Sequence, residues 1–499
     1  MTIAATWGAM ARGLLVASVA ATTVAATTVA ATTIGAQTNR HEIAIVGAAV
    51  IDVAAGRAIR DQTVVVRGTR VVSMGPRATT PVLRTALVMD GAGQFLIPGL
   101  WDMHAHVYPH VRRAPTDARA WQLPLYVATG VTGLRDMWTN LEDFAQMRAW
   151  SAAAAAGGIA APRVVSTGPM IDGPTGIFRD VAIVVANASD ANRVVDSVAR
   201  GGARAVKIHN AIPREAFFAL AARSKARGLP LIGHVPSAVT VREAIAAGQT
   251  DIEHYTESDG CATASAEAEA MRLRTDTSAR PAPGQLQQML LDGYDAKRCA
   301  DLMQLLVSRG VWVTPTLVVA QYLLDPTDST ITSRDELRFV PAAERTEWER
   351  TRATALRQMT PAILGIRRRV FTAQQKLVGT MQRAGVRLMI GTDMANDWLV
   401  PGFSVHDELA LFVRSGMTPA EALRAATLTP ARYLHATDSL GTIAPGHVAD
   451  LVLLDANPLT DIRNTRRIRA VVANGRLFDR AALDSILDAA ARGRSVPHS

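Results

Sequence analysis

Pro98-Gly99-Leu100-Trp101-Asp102-Met103-His104-Ala105-His106 is the stretch on which the reading of this chain turns. Two histidines one residue apart on a strand point to the same face, so both imidazoles can reach one metal ion. Such a pair alone also suits core filler or surface histidines. Its company removes that ambiguity. His234 closes the apolar run Leu231-Ile232-Gly233, His254 closes Asp251-Ile252-Glu253, and Asp393 closes Leu388-Met389-Ile390-Gly391-Thr392. Five ligand-type residues at strand ends, in a chain with 11 histidines, point to a metal centre more than to separately satisfied polar groups.

Working outward, eight apolar runs alternate with Ala-rich helical stretches. They are Leu100 to His106, Gly133 to Asp136, Val164 to Thr167, Ala205 to His209, Leu231 to His234, Asp251 to His254, Val311 to Thr316 and Leu388 to Asp393. That rhythm predicts an α/β fold, a (β/α)8 TIM-like barrel over residues 96–439, whose chemistry sits at the C-terminal strand ends. Spacers such as Arg214 to Arg227 and Val241 to Ala247 are each followed by a glycine that can end a helix. Two connections, Tyr255 to Gly310 and Leu317 to Gly385, are long and carry helical patterns of their own. Short β-branched runs flank the barrel, among them Thr63-Val64-Val65-Val66 before it and Leu451-Val452-Leu453-Leu454 after it. One small β-sandwich built from residues 38–95 and 440–480 would bury both sets, leaving 481–499 as a C-terminal helix and tail.

The 499 residues, 48% hydrophobic and 19% charged, are ample for a large core. The formal charge is +9, yet Arg and Lys are scattered, so nucleic acid is not an expected partner. Residues 1–37 read as an export signal or a low-complexity leader: Arg12 precedes Leu14-Leu15-Val16, and an Ala/Thr/Val run ends at Ala36-Gln37. The expected location is therefore periplasmic or secreted. No later segment offers about 18 uninterrupted apolar residues, so no membrane span is expected after the leader. Cys261 and Cys299, the only cysteines, form one disulfide or stay two buried thiols, and their spacing does not decide.

From about His41 to Asp479 the chain resembles the amidohydrolase superfamily, in the branch of imidazolonepropionase-like proteins and prolidase-like metallo-dipeptidases. The resemblance rests on the strand-end ligands, on Gly130-Val131-Thr132-Gly133-Leu134-Arg135-Asp136, and on Gly416-Met417-Thr418-Pro419-Ala420-Glu421-Ala422-Leu423. The tail from Ala425-Ala426-Thr427 to Leu440-Gly441-Thr442-Ile443-Ala444-Pro445-Gly446-His447-Val448-Ala449-Asp450-Leu451 completes it. It implies two divalent ions, zinc before manganese, cobalt or iron. One would take His104, His106 and Asp393, the other His234 and His254. Lys207, in Arg204-Ala205-Val206-Lys207-Ile208-His209, would bridge them as a carboxylated lysine. Asp393 is the implied general base and acid for attack by a metal-bound hydroxide.

The implied reaction is hydrolysis of an amide or peptide C–N bond in a dipeptide, an N-acyl amino acid or a cyclic amide. A lactonase or esterase, a hydrolytic deaminase and a non-catalytic binding protein are the alternatives. His209 is the candidate for orienting a carbonyl, with Asn210, Tyr255 and Tyr108 as further substrate contacts. In dipeptidase-like relatives the loop after the third strand often carries Thr-Gly-Gly-His. Here the segment Gly168-Pro169-Met170-Ile171-Asp172-Gly173-Pro174-Thr175-Gly176 lies close to the metal site and that histidine is absent, which puts dipeptide specificity in doubt and favours a less polar substrate. The partner expected is a small molecule, with a homo-oligomer open.

Overall fold

The computed structural model describes residues 42–107, 118–254, 260–276, 278–279, 281–282 and 284–493. The leader, Tyr108 and Tyr255 lie outside them. Eight parallel strands follow the expected order: β1 Leu100–Ala105, β2 Val131–Asp136, β3 Arg163–Ser166, β4 Val206–Ile208, β5 Leu231–Gly233, β6 Gln249–Glu253, β7 Trp312–Thr314 and β8 Arg387–Leu388. Every residue of β1 and β2 is buried, as a parallel sheet covered by helices requires.

The eight strands form two regular ladders, β1-β2-β3 and β4 through β8. Backbone bonds cross both gaps between them. Met103 N donates to Ile390 O at 2.9 Å and Asp393 N to His104 O at 2.7 Å, while Ala205 N donates to Thr167 O at 3.1 Å. The result is TIM-barrel-like, although no single closed sheet is assigned. The break after β3 has a local cause. Pro169 has no N–H to give to a ladder, and Gly168 sits at φ 120°, where an added Cβ would lie 2.7 Å from Ala203 Cβ. Beyond this turn Met170–Asp172 resumes pairing, now against β4.

Helices close the outside of the strands. Arg214–Ala226 buries Ala216, Phe217, Leu220, Ala221 and Ser224, one stripe at helical spacing. Val241–Ala247 starts on a reciprocal Thr240/Glu243 cap and stops at Gly248, whose φ of 106° suits glycine.

The terminal segments meet in one mixed sheet of eight strands. Phe95–Pro98 pairs with Leu451–Leu454 in antiparallel register, which joins the two ends of the chain. The sheet curls, so that Val71 N donates to His447 O at 2.9 Å and Gly446 N to Val71 O at 2.8 Å. Ile45, Val50, Val64, Leu96, Leu451, Leu453 and Val472 share its core. The expected composite of both termini is thus a single curled sheet. It also sets where the barrel begins, because Phe95–Pro98 runs through Gly99 straight into β1. A Cβ on Gly99 would fall 2.0 Å from Thr132 Oγ1. A helix, Arg480–Ala491, ends the described chain. Among the described residues no helix is long and apolar enough to cross a membrane.

Candidate metal centre

The strand-end ligands converge. Ligand atoms of His104, His254 and Asp393 lie within 4.8 Å of one another. His106 joins them through its Nε2, 3.1 Å from Asp393 Oδ1, and His104 Nε2 lies 3.2 Å from the same oxygen. The His234 ring is 4.7 Å from that of His254, centre to centre. His254 and Asp393 hold positive φ values of 56° and 61°, conformations uncommon outside glycine and concentrated at functional sites. Two glycines make the convergence possible. A Cβ on Gly391 would sit 2.4 Å from Thr314 Cγ2 and 2.9 Å from His104 Cβ. One on Gly233 would meet the Lys207 stem at 3.0 Å.

Burial holds most of the imidazoles in the neutral form that binds metal. It pushes His254 down to about 3 against the pull of Asp393, and lowers His234 far below its ordinary value, with Lys207 adding to the effect. His104 goes the other way. Its burial would lower it, but the Glu253 and Asp393 carboxylates outweigh that. Lys207 is 1% exposed and its ammonium is depressed, first by burial and then by Arg135, against the attraction of Glu253 and Asp393. No hydrogen bond or ion pair engages it among the described residues.

Residues that hold the ligands surround them. Glu253 Oε2 meets His104 Nδ1 at 2.6 Å, and Thr316 Oγ1 meets His254 Nδ1 at 2.6 Å. Asn210 Oδ1 meets His234 Nδ1 at 2.8 Å. Each contact fixes a tautomer and leaves Nε2 for another partner. Arg135 bonds Asp251, Glu253 and Thr314, all buried beneath the centre. Asp102 accepts Thr392 Oγ1 at 2.6 Å and Thr392 N at 3.0 Å, which secures the turn into Asp393.

His209 lies beside the centre, its ring 4.3 Å from that of His234, and Asp172 Oδ2 meets its Nδ1 at 3.0 Å. Asp172 stays ionised because the hydrogen bond and charge of His209 overcome the effect of burial. Asn210, expected at substrate, turns its carbonyl oxygen to His234 and leaves its amide NH2 for another partner. Cys261 and Cys299 are joined as a disulfide that ties the start of the connection between β6 and β7 to the helix Ala296–Arg309 that precedes β7.

Sequence reading missed Glu253, Arg135, Asp251 and Asp172. A signal existed: Asp251 and Glu253 share one face of a strand that is otherwise apolar, and buried carboxylates require a cation. Trp138 and Phe178, close to His106 and His209, left no signal in their spacing.

The donor set fits a divalent ion. Imidazole nitrogens and a carboxylate face one point, and among the described residues the buried His104 Nε2 makes no hydrogen bond, although Asp393 Oδ1 lies 3.2 Å away.

A sequence profile of the amidohydrolase family matches residues 95–478. Among curated relatives, the ochratoxinase of Aspergillus niger is 38% identical over 101 residues, 19% of this chain and 20% of that protein. Such matches span about a tenth to a fifth of the length of these relatives. Among solved structures, a bottromycin amidohydrolase aligns with a TM-score of 0.66 at 23% identity, over 93% of this chain and 94% of that one. A Xaa-Pro dipeptidase with bound methionine in the active site aligns at 0.61 and 19% identity, over 88% and 100%. At these identities the structural likeness establishes the fold.

Proposed function

The chain belongs to the amidohydrolase family, and on that premise we propose that it is a metal-dependent hydrolase cleaving an amide or peptide C–N bond in a small molecule. The observation that carries the reading is the convergence of His104, His254 and Asp393, with His106 and His234 at their flanks, on the C-terminal ends of the strands. His104, His106 and Asp393 would hold one divalent ion and His234 and His254 a second, with a carboxylated Lys207 between them. Zinc suits this donor set. When bound, such ions lower the pKa of water and polarise a carbonyl.

The chain's own residues do the rest. Asp393, held ionised among the histidines despite burial, receives the proton of the attacking water and passes it to the departing amine nitrogen. His209, its Nδ1–H held by the Asp172 carboxylate, would orient the substrate carbonyl by donating Nε2–H from the doubly protonated ring. Glu253, Thr316 and Asn210 keep three ligand rings from turning. The burial of Lys207, with no ion pair among the described residues, supports its carboxylation, which would supply an anion where the sequence has only a cation.

We also propose that the protein acts outside the cytoplasm. The leader-like composition of residues 1–37 and the joined cysteines support this.

The test is a substrate panel of Xaa-Pro and Xaa-Lys dipeptides and N-acyl amino acids, with lactones and aminopurines as controls. Amide hydrolysis, lost on chelation, is expected. Turnover of lactones or aminopurines alone would overturn the C–N amide reading.

A further inference from the structure

Seven aromatic rings form a closed circuit that contains the metal ligands. His104 meets His106 at 5.2 Å between centroids, His106 meets Trp138 at 6.4 Å, and Trp138 meets Phe178 at 5.3 Å. Phe178 meets His209 at 5.3 Å, His209 meets His234 at 4.3 Å, His234 meets His254 at 4.7 Å, and His254 returns to His104 at 4.4 Å. Four of these rings are candidate ligands. The other arc, Trp138, Phe178 and His209, belongs to no metal.

This arc is held in place. Trp138 is 4% exposed and its Nε1 donates to Asn140 Oδ1 at 3.2 Å. Phe178 O accepts Val181 N at 2.9 Å and Ala182 N at 2.8 Å, which anchors the turn carrying the ring. The same loop packs on the pair that holds His209, since a Cβ on Gly176 would lie 2.1 Å from Asp172 Oδ2. Phe178 nevertheless keeps 36% of its surface open, and its neighbour Ile177 keeps 81%. Apolar surface left in water beside a polar centre is what a ligand-binding wall shows before its ligand arrives.

Resting on the amide-hydrolase reading above, we infer that Phe178, backed by the buried ring of Trp138, walls a subsite for an aromatic ring on the substrate, next to the amide that His209 orients. The part-open ring of Phe178 gives a flat guest a stacking neighbour, and Trp138, 72° away in plane, holds that ring from behind. An aliphatic group of equal length covers less of it.

The experiment uses two matched pairs, N-benzoylglycine against N-acetylglycine and N-acetylphenylalanine against N-acetylalanine, so that the ring is varied on each side of the amide. Turnover and calorimetric binding are measured on the full protein and on Phe178→Ala and Phe178→Leu. Phe178 is part-exposed, so both variants are expected to fold, which the unfolding midpoint checks. In at least one pair the ring-bearing compound is favoured by about 10-fold or more, and Phe178→Ala lowers that ratio by about 10-fold, with Phe178→Leu between. Ring-selective binding without turnover would sink amide hydrolysis and keep the subsite. Equal binding and turnover within both pairs, or a preference that Phe178→Ala leaves in place, would overturn the subsite.

Discussion

Replacing Arg135 by methionine removes a cation bonded to two buried carboxylates. In the folded chain the guanidinium is 1% exposed and both partners, Asp251 and Glu253, are fully enclosed. It also bonds Thr314 Oγ1 at 3.2 Å and the Met103 carbonyl. Removing one partner of a buried ion pair leaves an uncompensated charge, and the usual loss is about 3–5 kcal/mol. That is a large share of the roughly 5–15 kcal/mol that holds a typical domain folded. Arg135→Met should therefore lower the urea midpoint well beyond any surface substitution, with little change in slope. The two carboxylates are not equivalent. Burial pushes Asp251 up to about 6, whereas Glu253, bonded to both Arg135 and His104, is kept ionised. Adding Asp251→Asn to Arg135→Met should then recover about 1–2 kcal/mol by removing one unpaired group. Metal affinity should fall about 10–100-fold in Arg135→Met, because Glu253 loses the contact that aims it at His104. A stability loss under about 1 kcal/mol, or no recovery in the double variant, would refute the reasoning.

Asp393→Asn keeps the shape of the proton carrier and removes its basicity, so kcat should drop at least about 100-fold with the fold intact; near-normal turnover removes Asp393 from the mechanism. His406 is buried between Thr465 Oγ1 and the Thr129 carbonyl, and burial, aided by Arg466, pushes it down to about 3 from 6.5. The unfolded chain takes up this proton first, so the stability from a neutral His406 is full above pH 6.5 and is lost as pH falls toward about 3, on the order of 3 kcal/mol by about pH 4.5. Denaturation curves of His406→Gln should show a shallower acid slope, and an unchanged slope contradicts the assignment. Reducing Cys261–Cys299, separated by 38 residues, loses a cross-link worth on the order of 4 kcal/mol through the unfolded chain. As the bond lies in the connection leaving β6, KM should move before the main unfolding transition, and the reverse order would refute a role near the site.

What could be read from sequence was what a short local pattern can carry. His104-Ala105-His106, and the single histidines and aspartate closing apolar runs, announced both the strands and the face on which they end, because alternation along a strand leaves no choice of side. The barrel order followed from the same runs. The break at Gly168-Pro169 was not foreseen, since it depends on Ala203 pressing against the turn from another element. Nor were the contacts of Glu253 with His104 and of Arg135 with Asp251, which join residues on different strands across the barrel. Local propensity says nothing about such pairs. The bond of Asn210 to His234 Nδ1 was equally invisible, since it depends on a histidine at the end of the next strand. Phe178 is legible only as a lone aromatic in a turn until the fold brings it beside His209.

The most direct test of metal-dependent hydrolysis at this centre is the metal content of purified protein, measured beside amide turnover as a chelator strips the ions and zinc is returned. Close to two ions per chain are expected, with turnover lost and regained in step with them and an added carboxyl mass on Lys207 in the loaded protein alone. Full amide turnover by protein stripped of metal would contradict the central claim.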